Sequence, residues 1–194
     1  MKKLIMGFLL LLPRLILGQN LPTSITTSTA LSPETLSIPS ISSTANINVV
    51  REWAFKVPIE LILSNPTKEQ ALTTTYYTDG LGKPLQEVFY QVSPTGKDLV
   101  RPFVYDAYGR SKYGLSPYPS TTNSGKIVQT PGSSYNSRLS TIYSSEANFF
   151  ERISYENSPV GKVLKNSAPG NSWSGSNKGV TVFSGVGSSA YYVR

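Results

Sequence analysis

Tyr76-Tyr77-Thr78-Asp79-Gly80-Leu81-Gly82-Lys83-Pro84-Leu85-Gln86-Glu87-Val88 decides the fold: it reads as a strand, a tight turn and a return strand. On the way in, Thr73, Thr75 and Tyr77 share one face and Leu72, Thr74 and Tyr76 the other, the period of two expected of a strand. Asp79-Gly80-Leu81-Gly82 supplies the turn. A short carboxylate accepts a hydrogen bond from a backbone N–H two residues on, and glycine takes positive φ at no steric cost. A looser copy, Tyr105-Asp106-Ala107-Tyr108-Gly109-Arg110, puts its aspartate 27 positions after the first. Asp79, Gly80, Gly82, Asp106 and Gly109 are therefore the expected structural turn residues.

Working outward, Ile47 to Phe55 is β-branched and aromatic and reads as a strand, and Asn65-Pro66 marks a turn. Lys83 to Val92 returns from the first Asp turn. Ser93 to Asp98 is a further turn, Leu99 to Tyr105 a strand, and Arg110 to Leu115 its return, which together predict a β-meander. Ser116 to Gly132 reads as loop. The period then changes: Tyr135, Leu139, Ile142 and Tyr143 form one stripe of a short helix from about Ser134 to Ser145. Phe149 to Glu156 is a strand, Val160 to Lys165 pairs back, and Val180 to Phe183 is a last strand. Tyr191 to Arg194 is apolar and strand-like, so a covering partner C-terminal to it is expected. The fold class is mainly β: antiparallel hairpins and a meander with one short helix.

The N-terminal stretch carries an address. Lys2 and Lys3 precede an apolar run from Leu4 to Leu12, with Gly18 before Gln19. Residues 1–18 are thus expected to be a signal peptide for export to the exterior or cell surface, its apolar run far short of the ~20 residues a spanning helix needs. No stable membrane anchor is expected. Residues 19–45 are rich in Ser, Thr and Pro and read as an extended or disordered linker ahead of a module at 46–194.

Composition excludes much chemistry. The chain has no Cys and no His, which removes a Cys nucleophile, a Ser-His-Asp triad and zinc sites built on either residue. The formal charge of +7 falls to +4 once Lys2, Lys3 and Arg14 leave with the leader, too mild and too scattered for a nucleic-acid partner. Gly185-Val186-Gly187-Ser188-Ser189-Ala190 matches a dinucleotide pattern but opens no helix, so it reads as a loop and no cofactor is expected. Glu87, Asp98, Glu151 and Glu156 are the acids that could pair for glycoside hydrolysis, and they read instead as solvated acids on strand faces. Asp79 and Asp106 lack the close succession of oxygens that a calcium loop needs, so no metal is expected. Tyr76, Tyr90, Tyr108, Tyr113, Tyr118 and Trp173 remain as a candidate ligand face, for sugar or peptide, or as sheet packing.

Two Tyr-led Asp-x-x-Gly-[Lys/Arg] turns are joined in order by Ser93 to Asp98, Leu115-Ser116-Pro117-Tyr118, Tyr155 to Leu164, and Ala168-Pro169-Gly170 with Trp173. This series, from about Asn46 to Arg194, resembles the N-terminal domain of unknown function that precedes the repeat shell of secreted bacterial RHS (YD-repeat) proteins. Lys83 stands where that family has Arg. The resemblance implies a non-enzymatic structural or interaction module of a secreted or cell-surface protein, with the β-repeat shell C-terminal to it as partner and truncation at Arg194. The alternative is a carbohydrate- or surface-binding module that meets cell-surface glycans through exposed Tyr and Trp.

Overall fold

Alternating strand residues fix two antiparallel sheets in the computed structural model, which describes residues 36–58 and 65–182. The signal-peptide segment 1–18, the Gly185 to Ala190 loop and the Tyr191 to Arg194 segment lie outside the described residues. The first sheet has the order β1-β2-β3-β4-β6, with β1 Asn48–Phe55, β2 Ala71–Thr78, β3 Pro84–Phe89, β4 Leu99–Pro102 and β6 Tyr118–Pro119. The second has the order β5-β7-β8-β9, with β5 Tyr113–Leu115, β7 Phe150–Tyr155, β8 Val163–Ser167 and β9 Val180–Thr181. A helix, α1 Pro131–Ile142, follows β6.

The quoted hairpin forms as β2 and β3, with Tyr77 opposite Gln86 and Thr75 opposite Val88. Thr73, Thr75 and Tyr77 are buried, and the same face continues through Val88, Val100 and Tyr118. This face meets Tyr113, Leu115 and Phe150 of the second sheet and Tyr135 and Leu139 of α1 in one core. Aromatic rings hold it together edge to face, with Tyr113 on Phe150 at 5.2 Å and 85°, and Tyr118 on Tyr135 at 5.8 Å and 87°. The Tyr135 hydroxyl donates to the Phe149 carbonyl at 3.0 Å, which satisfies a phenol buried within that core.

The expected meander breaks after β4. Phe103 N–H donates back to Leu85 O of β3, so the nitrogen of Pro102 faces the opposite edge, where it has no hydrogen to give. A return strand from Arg110 to Leu115 cannot extend the ladder there. Two residues, Tyr118–Pro119, cover the β4 edge instead, within a stretch expected to be loop. Tyr113–Leu115 pairs with β7 in the other sheet, and the second Asp turn is flanked by an isolated Tyr105–Ser111 bridge in place of a strand pair. That turn is a corner between sheets.

The helix starts and ends three residues earlier than its stripe suggested. Proline needs no N–H in a first helical turn, so Pro131 opens the helix where it was counted as loop. Pro131, Tyr135 and Leu139 form the buried line, while Ile142 and Tyr143 are 54% and 52% exposed. The described end of the Ser/Thr/Pro-rich stretch is not a free linker. Leu36 and Ile38 pack on the core, and Ile41 N–H donates to Gln129 O at 2.8 Å. A side chain on Gly132 would meet Ile38 O at 2.9 Å, so glycine there admits this segment against the helix start.

Candidate functional site

The two Asp turns share one backbone pattern. Asp79 Oδ1 accepts the N–H groups of Leu81 and Lys83, each at 2.9 Å, while Gly82 N–H donates to Asp79 O. Asp106 Oδ1 accepts those of Tyr108 and Arg110, each at 2.9 Å, and Gly109 N–H donates to Asp106 O. Gly82 and Gly109 sit at φ 82° and 78°, a region that costs side-chain-bearing residues about 1–2 kcal/mol. Gly80 lies in the turn as expected, but outside that region, and a Cβ on it meets nothing within 4 Å, so the turn does not depend on glycine there. Ala107 holds the same place in the second turn.

The turns differ in the basic residue after the second glycine position. Lys83 Nζ lies 3.7 Å over the Tyr105 ring, which joins the first turn to the approach of the second. Arg110 instead grips Asp106 through Nε and Nη2, both at 2.7 Å, and donates through Nη1 to the carbonyls of Ser158 at 2.6 Å and Glu156 at 3.3 Å. Its guanidinium lies over the Tyr108 and Tyr155 rings at 4.9 and 4.5 Å. Burial works to raise the Asp106 carboxyl. The Arg110 amide and guanidinium and the Tyr108 amide outweigh it, holding that carboxyl below its ordinary 3.8. One arginine thus ties the second Asp turn to the β7–β8 connection.

The six expected ligand-face aromatics do not share a face. Tyr113 and Tyr118 are core residues. Tyr76 lies on the outer side of β2 and donates to Glu52. Tyr108 is exposed under Arg110, and Trp173 is 49% exposed in the loop between β8 and β9. Two of the four acids also depart from the expected solvated state. Glu87 on β3 is buried and paired with Arg101, and Asp98, just ahead of β4, is fully buried. Glu151 and Glu156 are half-buried.

Tyr90 alone of the six lines a cleft of about 340 Å³, together with a tryptophan that the strand pattern did not mark as functional. Trp53 sits on β1 beside Arg51 on the same side, since alternate strand residues share a face. Arg51 Nε donates to the buried Thr75 Oγ1 at 3.2 Å. The far wall is Gln91 with Ser124 and Gly125. Asp98 builds that wall: Oδ1 accepts Gln91 N–H at 2.9 Å and Oδ2 accepts Gly125 N–H at 2.8 Å. Gln91 is held at φ 50°, unusual for a residue with a side chain, and its amide donates to Tyr90 Oη and Asn123 O. Tyr77, outside the lining itself, holds Gly125 by donating to its O at 2.8 Å, and burial raises its phenol even though Arg51 pulls the other way. The signal in the sequence was Trp53 and Arg51 two apart on a strand; their partners at 90 and 125 are joined only by the fold.

No curated protein and no solved structure matches the chain at a significant level. The model of one family, described as a domain of unknown function (DUF6443), matches residues 51–185, more than half of the chain and nearly all of both sheets. The chain belongs to this DUF6443 family.

Proposed function

We propose that this chain is a non-enzymatic structural and interaction module of an exported RHS-type (YD-repeat) protein, lying ahead of the β-repeat shell and covering its open end. The observation that carries this reading is β1. It is an eight-residue strand at the end of its sheet, paired with β2 on one side. Val49 and Val50 on its two faces are 55% and 60% exposed. Among the described residues no second strand pairs with β1, and a strand edge of this length is a template for another strand, as a repeat shell ends in an unpaired strand of its own. The paired Asp turns support the reading, because both spend their carboxylates on backbone N–H groups. The exported location rests on the 1–18 leader, with cleavage after Gly18.

The test is co-expression of the chain with a YD-repeat segment, followed by size-exclusion chromatography. A stable complex that is lost in Val50→Lys, with the isolated module still folded, supports pairing at β1. Absence of a complex, or one indifferent to Val50→Lys, contradicts it. N-terminal sequencing of exported protein beginning at Gln19 tests the address. The glycan-binding alternative loses two of its six aromatics, since Tyr113 and Tyr118 are core.

A further inference from the structure

We propose that the cleft between Trp53 and Tyr90 binds an acidic sugar residue, the pyranose ring resting against the aromatic walls and its carboxylate on Arg51. The inference is independent of the shell reading. At about 340 Å³ the cleft is of small-ligand size, within the range of about 300–1,000 Å³. Its apolar surface comes from two aromatic rings and Pro66, and its other described lining residues are polar or charged but for Gly125. Proline-rich peptides also dock on aromatic-lined grooves, but through apolar rings that bring no anion to meet Arg51. Flat rings bordered by Thr73, Gln91, Ser124 and Asn65 suit a polyol, whose C–H face is apolar and whose rim is hydroxyl.

The charge follows from Arg51. Thr75 takes its Nε, which fixes the side chain and leaves the two terminal nitrogens of the fork for an incoming group. A guanidinium so held is matched to a carboxylate. Among the described lining residues the other charges are Lys68 and Glu69, paired at 3.8 Å, so the lining carries a net positive charge. The walls are preformed. Asp98, fully buried, braces Gln91 and Gly125 together and maintains the left-handed Gln91 backbone. Strain held in place by a buried brace at a cleft wall is the pattern of a preorganised site.

Tryptophan fluorescence tests this directly, since the chain has two tryptophans and Trp173→Phe leaves Trp53 as the reporter. The intact chain is titrated with oligogalacturonate, a hyaluronan hexasaccharide and sialyllactose. Methyl-esterified oligogalacturonate and inorganic phosphate serve as controls. At least one acidic sugar is expected to change Trp53 emission saturably. Arg51→Gln is expected to weaken it about tenfold or more and to abolish the preference for acid over ester. Trp53→Ala, followed by calorimetry with folding checked by circular dichroism, is expected to lose about tenfold. Saturable binding by none of the three acidic sugars overturns the proposal. So does equal binding of acid and ester, competition by phosphate at equal concentration, or affinity that survives both substitutions.

Discussion

Asp106→Ala should cost far more stability than Asp79→Ala, although the two carboxylates bind their own turns in the same way. In each case two backbone N–H groups lose an acceptor at 2.9 Å. Those of Leu81 and Tyr108 lie in exposed residues and are rehydrated, so the loss at Asp79 is about 1 kcal/mol. Asp106 also neutralises Arg110, whose side chain is only 16% exposed. Stranding a buried charge costs about 3–5 kcal/mol, reduced here because the Glu156 and Ser158 carbonyls still accept from it. The expected total is about 3 kcal/mol for Asp106→Ala, a gap of about 2 kcal/mol between the variants. Urea unfolding at pH 7 reads that gap as about 1 M in midpoint, for a slope near 2 kcal/mol/M. Asp106→Asn retains an acceptor without the charge and should fall between wild type and alanine. A double-mutant cycle with Arg110→Met should return most of the difference as coupling. Equal losses at the two aspartates, or no coupling to Arg110, would refute the reasoning.

The same geometry sets further outcomes. Gly82→Ala and Gly109→Ala should each lower stability by about 1–2 kcal/mol, with Gly80→Ala neutral or better by up to about 1 kcal/mol, read by thermal melts. Asp98→Ala should cost about 3 kcal/mol, because it strands the amides of Gln91 and Gly125, and should speed amide exchange at both positions by NMR. Burial pushes the Tyr118 phenol up from 10.0 to about 12 and raises Tyr135 as well. Since the protonated phenols are the favoured folded forms, their contribution is complete below pH 10 and drains away as pH rises towards 12. Alkaline unfolding should therefore begin in that window and move upward in Tyr118→Phe. In acid the sign reverses: Asp106 is held below 3.8, so its contribution is present above that pH and is lost on further acidification.

The β2–β3 hairpin was legible because its information is local: alternating faces, an aspartate and a glycine at the one position needing positive φ. The partner of Tyr113–Leu115 was not, because strand pairing is non-local and the Pro102 that diverts it acts through a missing donor on one edge. Tyr113 and Tyr118 read as exposed because tyrosine suits a half-wet strand, yet the sheets and α1 enclose both. Leu36 and Ile38 were hidden by the Ser, Thr and Pro around them, although two spaced aliphatics suffice to dock a segment on a core. The cleft needed positions 51, 53, 90 and 125 brought together, and no local period links them.

The most direct test is an acid titration of the chain by NMR, following the backbone amides of Tyr108 and Arg110 and the Asp106 carboxyl carbon together, without and with added calcium. If the Asp106 carboxylate is a backbone brace, all three signals titrate as one with a midpoint below 3.8, and calcium leaves that midpoint unmoved. Amides that ignore the carboxyl, or a midpoint that calcium displaces, would contradict the account.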